Sequence, residues 1–148
     1  MIKQNYLFII AVIVGSLVGV GLSTSNLNRT FSISSAGMVT SVGIEVYADE
    51  QCTITVATIN WGSLEPGEYV TRIVYVKSLS NVDTVLHLQT GDWNPPESSQ
   101  HIDFAWDKEG YVLGPGEVAK ATLMLQVSNQ IENITNFGFN IVIIAEQN

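Results

Sequence analysis

His87, His101, Cys52 and Met124 are the residue types that hold copper in a blue-copper site, where two imidazoles, a thiolate and a thioether converge on one metal. Their spacing argues against that chemistry, because such sites draw Cys, His and Met from one short loop late in the chain, whereas Cys52 stands early and alone. His87 alternates with Val85 and Gln89 and reads as a residue on the face of a strand. A second grouping, "DFAWDKEG", concentrates Asp103, Asp107 and Glu109, with Asp92 upstream. Calcium takes several hard oxygen ligands, so these three carboxylates are the candidate metal residues. The arrangement nevertheless matches no EF-hand loop, and a charged hairpin is ordinarily solvated. Serines are plentiful, but no G-x-S-x-G elbow, P-loop or dinucleotide fingerprint occurs. The expectation is therefore no catalytic residue, no cofactor and a protein that is not an enzyme.

Trp61, Trp93 and Trp106 raise carbohydrate stacking as another possibility. Trp106 shares a strand face with Ile102 and Phe104 and is explained by core packing, and Trp61 precedes a glycine at a corner. A sugar platform then rests on Trp93, beside Asn94-Pro95-Pro96, as the tryptophan expected to be exposed.

Charge and export signals narrow the class. The 148 residues carry 14 acidic and 6 basic side chains, a formal net charge of −8, and only 14% of the chain is charged. Nucleic-acid binding needs a basic footprint, so no nucleic-acid partner is expected. Residues 6 to 22, "YLFIIAVIVGSLVGVGL", contain no charge and follow Lys3. As a helix this run nearly spans a hydrocarbon core, and does so with Ser23 and Thr24 included, so residues 6–24 are the expected membrane contact. The division is 1–25 as a signal anchor or signal peptide and 26–148 as an extracytoplasmic domain, secreted if the leader is cut. Gly15 and Gly19 form a G-x-x-x-G suited to close helix packing. Asn28 and Asn133 head N-x-[ST] acceptor sequences and are the glycosylation candidates. Cys52 has no partner for an intrachain disulfide, so the domain must be held by its core, with Cys52 a small buried hydrophobe or an intermolecular bridge.

After the leader, period-2 alternation recurs and predicts an all-β chain of seven to eight short strands, arranged as an immunoglobulin-like antiparallel sandwich. The predicted strands are "TFSIS", "VGIEVYA", "CTITV", "YVTRIVYVK", "TVLHLQT", "HIDFAWD", "AKATLMLQV" and "NFGFNIVII". "LEPGE" at 64 to 68 and "LGPGE" at 113 to 117 each precede a long strand. Pro66-Gly67 and Pro115-Gly116 suit type II turns, with Leu64 and Leu113 beneath them and Glu68 and Glu117 facing water. The last strand is apolar on both faces in its second half and needs a neighbour along its edge. Residues 30–38, with Phe31 and Ile33 on one face, are the expected cover, supplied either by the same chain or by another copy through strand exchange.

The run "GIEVYADEQCTITVATINWGSLEPGEYVTRIVYVKSLSN", with "DWNPPESS" and "ITNFGFNIVI", resembles small uncharacterised archaeal exported proteins with one N-terminal hydrophobic segment. "LEPGEYVTRIVYVKSLSN" is more distantly similar to the turn-and-strand unit of camelysin-type biofilm fibre subunits. These resemblances imply a compartment and an immunoglobulin-like fold, and they transfer no catalytic residue. The expected function is a non-enzymatic cell-surface structural or adhesion glycoprotein that contacts the membrane and associates with itself or other surface proteins. A strand-exchanging filament subunit is the alternative, followed by a carbohydrate- or calcium-binding module.

Overall fold

The computed structural model of the chain describes residues 33–147. The expected membrane segment with Gly15 and Gly19, the acceptor Asn28 and Phe31 lie outside the described residues. Nine strands run β1 (Ile33–Val42), β2 (Ile44–Tyr47), β3 (Thr58–Leu64), β4 (Tyr69–Ser78), β5 (Thr84–Asn94), β6 (Ile102–Trp106), β7 (Val112–Leu113), β8 (Val118–Val127) and β9 (Asn136–Gln147). They form a five-stranded sheet, β3-β1-β9-β5-β7, and a four-stranded sheet, β2-β4-β8-β6. Alternation drives the burial: in β8 every second residue from Ala119 to Val127 is buried, and in β9 Phe137, Phe139, Ile141 and Ile143 all point inward. One apolar core joins both sheets, with Trp61, Leu86 and Ile143 from one and Val76, Leu123 and Leu125 from the other.

The last strand has the neighbour its composition demands. β1 lies parallel to β9, from Ser34 opposite Asn136 to Val42 opposite Ile144, while β5 flanks β9 antiparallel on its other side. At Gly43, with φ of +74°, the chain leaves the five-stranded sheet and enters the four-stranded one as β2. Only a glycine takes that backbone geometry at little steric cost.

The two Pro-Gly corners are equivalent in space as well as in sequence. Each carries the chain from an edge of the five-stranded sheet, β3 or β7, to a central strand of the four-stranded one, β4 or β8. β4 and β8 are both ten residues long and stand 49 residues apart, as the corners do. They pair antiparallel with Ile73 opposite Thr122, which is its own counterpart at that spacing. A local twofold axis therefore passes through this pair. β2 and β6 obey it too, since Ile44 pairs with Ser78 and Ile102 with Val127. β1–β4 and β5–β8 are two like units, and β9 fills the gap between them in the five-stranded sheet.

Two expectations need correction. "CTITV" is not a strand. The Asp49 carboxylate accepts hydrogen bonds from the Thr53 amide and hydroxyl and the Ile54 amide, curling the segment into a turn. Cys52 there has φ of +55°, and Thr55 makes only an isolated bridge to Tyr47. The edge strand is instead "TINWGSL", β3, whose alternation is broken by a bulge at Trp61 that puts Ile59, Trp61 and Leu64 all inward. Together with the two-residue β7 this gives nine strands rather than seven or eight.

Packing leaves one tight point between β1 and the core. Gly37 faces inward, and a Cβ there would lie 2.9 Å from Ile141 Cδ1 and 3.4 Å from Trp61 Nε1. Gly37→Val is expected to lower unfolding free energy by about 2 kcal/mol through overpacking. Ala36→Val, on the outer face of the same strand, should stay within about 0.5 kcal/mol. Denaturant titration of the two variants checks this, and equal losses would refute the close fit.

Candidate functional site

The three carboxylates proposed for calcium do not converge. Asp103 is exposed on the outer face of β6. Asp107 accepts a hydrogen bond from the Thr122 amide of β8 at 2.7 Å and lies 3.6 Å from Lys108 Nζ. Glu109 turns the other way: Oε2 accepts from the Trp106 indole at 2.9 Å and the Leu88 amide at 3.0 Å, and Oε1 accepts from His87 Nδ1 at 2.8 Å. Among the described residues no group of three His, Cys, Asp or Glu side chains is placed to hold a metal ion. The copper set is scattered likewise, with His87 on the outer face of β5, Met124 on the outer face of β8, Cys52 in the β2–β3 turn and His101 before β6.

Glu109 works as a fastener between layers. The β6–β7 turn that carries it lies against β5, where the Gly110 amide donates to Leu86 and the Leu86 amide to Tyr111. The Trp106 indole hydrogen bond, with the His87 contact second, holds the Glu109 carboxyl below the usual carboxylate range. The corner glutamates, expected to face water, fold back instead. Glu68 accepts from the Glu65 amide and Glu117 from the Gly114 amide, each at 2.8 Å, so each side chain caps the first residue of its own turn. The Gly114 amide and then the Tyr111 hydroxyl keep the Glu117 carboxyl low. The turns themselves are as expected, with φ of +83° at Gly67 and +67° at Gly116, closed by amide bonds from Glu68 to Glu65 and from Glu117 to Gly114. Leu64 and Leu113 are buried beneath them.

The tryptophans do not form a platform. Trp61 is fully buried, and Arg72 reaches over it to donate to the Asn60 and Trp61 carbonyls at 3.2 and 2.9 Å. Trp93, expected to be exposed, is half-buried and lies flat on Phe139, with ring centres 4.2 Å apart and planes 8° from parallel. Stacking on a core phenylalanine takes one face of the ring out of solvent. Near the β2–β3 turn the Tyr47 hydroxyl donates to Glu45, which pushes its pKa up to about 12.

Sequence reasoning missed an apolar pole. Residue 33 and residue 43 lie at opposite ends of β1, about 30 Å apart at strand rise. At the end away from residue 33, Leu79, Val82, Val112 and Val118 are each at least 39% exposed. Pairing sets Val112 beside Val85 in the five-stranded sheet and Val118 beside Lys77 in the four-stranded one. A groove of about 310 Å³ opens there, lined by Leu79, Val82 and Ala145 together with the polar Ser80, Asn81 and Gln147. The signal was "SLSNVD", in which apolar residues interrupt a turn without strand alternation. The acceptor Asn133 occupies the other pole, exposed in the β8–β9 loop with φ of +61°.

No protein-family model and no curated protein matches the chain. No helix among the described residues is long and apolar enough to cross a membrane.

A carboxyl held low in the folded state contributes stability that is complete above its unfolded pKa and is lost as pH falls through the folded one. Glu109→Gln is therefore expected to cost about 1 kcal/mol at pH 7, the ionic share being small at so exposed a site. The gap between variant and parent should close as pH drops below the usual carboxylate range. Thermal melts from pH 7 to pH 3 test it, and a constant gap would show that ionisation of Glu109 contributes nothing.

Proposed function

We propose that the chain is a non-enzymatic cell-surface protein, held by a membrane-spanning N-terminal segment, whose immunoglobulin-like domain serves envelope structure or adhesion outside the membrane. One observation carries this reading: the described chain begins at one pole, and its exposed Leu79, Val82, Val112 and Val118 gather at the other. An anchor joined ahead of residue 33 would turn that apolar pole outward. Leu79 and Val82 share one groove there, and exposed apolar surface of that kind is suited to contact with a partner. Asn133 would then sit at the membrane-proximal pole. The parallel pairing of first and last strands supports the immunoglobulin-like description.

A second reading, a filament subunit built by strand exchange through residues 30–38, is favoured by the joint at Gly43. β1 is bonded to β3 and β9 but is covalently continuous with the rest of the described chain through that one left-handed residue. Withdrawing it leaves a slot that the same strand of another copy fits, and head-to-tail repetition would give an open fibre.

Protease treatment of intact cells expressing a C-terminally tagged chain is expected to remove the tag, and Leu79→Asp with Val112→Asp should reduce cell adhesion several-fold without shifting the thermal midpoint. A protected tag would rule out the surface reading. A chain that stays monomeric at high concentration, with β1 on its own body, would rule out the filament.

A further inference from the structure

Among the described residues the lysine and arginine side chains are those of Arg72, Lys77, Lys108 and Lys120. Arg72 is committed to the Asn60 and Trp61 carbonyls, and Lys108 lies beside Asp107. Lys77 and Lys120 remain, and neither makes an ion pair among the described residues. Both stand on the outer face of the four-stranded sheet, Lys77 on β4 and Lys120 on β8. Lys77 pairs with Val118 and Lys120 with Tyr75, so the two lysines are diagonal neighbours, about 7 Å apart. Like charges so placed repel, in a chain with 14 acidic residues on which to pair them. Glu45 is opposite Lys77, yet its carboxylate takes the Tyr47 hydroxyl instead. Aromatic rings accompany the charges. Tyr75 lies between Tyr47 of β2 and Lys120 of β8, and Tyr69 shares its face six residues back along β4, about 20 Å away. A recess of about 340 Å³ lined by Glu50, Tyr75, Val118 and Lys120 opens at the lysine end.

We propose that this face binds an unbranched anionic polysaccharide, a polyuronate, whose carboxylates meet Lys77 and Lys120 while a sugar ring lies on Tyr75. Charge complementarity selects an anion, because two unpaired ammonium groups side by side gain from one carboxylate-bearing ligand what the fold denies them. The rings select a sugar. A tyrosine presents an apolar face and a polar tip, which match the C–H face and the hydroxyls of a pyranose. Glu50, in the recess, is placed to accept from those hydroxyls. A polymer is favoured over a small anion because small ligands take concave sites, whereas Tyr69 extends this open sheet face well beyond the recess. A peptide strand is disfavoured, since β4 and β8 are central strands whose backbone groups are already paired on both sides. The site uses none of the tryptophans, and the inference stands whether or not the chain is anchored.

The test is affinity electrophoresis of the full-length chain in detergent, through gels containing polygalacturonate, the neutral glycan dextran, or poly-L-glutamate. Polygalacturonate alone should retard the chain, and the retardation should fade as NaCl is raised. Lys77→Gln with Lys120→Gln should raise the dissociation constant about tenfold. Tyr75→Ala should raise it about fivefold. Lys108→Gln, which makes the same charge change away from this face, should bind as the parent does. No retardation, retardation that persists at high salt, or equal retardation by dextran would overturn the proposal. Equal retardation by poly-L-glutamate would assign the face to an acidic peptide and overturn it too, as would a Lys108→Gln loss matching that of Lys120→Gln.

Discussion

A strand that is apolar on both faces cannot stand at an edge, and β9 sets the terms for everything around it. Its inward row, Phe137 to Ile143, supplies the middle of the core, while Val142 and Ile144 on the other face are only half covered. Left unpaired on either side, such a strand would offer both hydrogen-bonding groups and apolar surface to another chain. β1 and β5 remove that hazard by pairing along nearly its whole length. The exposed edges are displaced to β3 and β7, where they are blunted. β3 carries a bulge and has the Arg72 guanidinium over two of its carbonyls, and β7 is two residues long.

The local twofold explains why β9 is needed at all. Two like units, each placing two strands in either sheet, meet through β4 and β8 across the axis at Ile73 and Thr122. In the five-stranded sheet their inner strands, β1 and β5, do not meet, and one further strand closes the layer. A single strand cannot be symmetric about such an axis, so β9 is parallel to one flank and antiparallel to the other. The corners inherit the symmetry down to the glutamate that folds back on each turn, while their surroundings differ. Asn129 crowds Gly67, whereas nothing crowds Gly116.

Much of this architecture was legible in the residues. Alternation found the long strands and put Ile102 and Trp106 on the buried face of β6, and the Pro-Gly pairs marked two true corners. The apolar second half of β9 announced its need for a neighbour, and β1 is that neighbour, although residues 39–42, beyond the expected 30–38, lie beside Ile141 to Ile144. Legibility failed where a side chain competes with the backbone ladder. Asp49 captures two amides and bends "CTITV" away from strand geometry, a local event that counting apolar residues does not register. It failed again at β3, where a bulge breaks the period and hides a strand behind "NWGS". Glu68, Glu109 and Glu117 looked like solvated charges, since type and spacing do not reveal that a carboxylate turns back to backbone amides. Leu79 and Val82 were passed over because exposed apolar residues in a turn leave no periodic trace.

The parallel alliance of β1 and β9 also has a mechanical meaning. The described chain starts at one end of the sandwich and finishes at the other, and the strands that bear those two ends lie side by side over nine register pairs. Tension applied between residues 33 and 147 runs along the strand axes, so it must slide one strand past the other and rupture those pairs together instead of peeling them singly. Sliding β1 along β9 therefore meets more resistance than peeling the two apart.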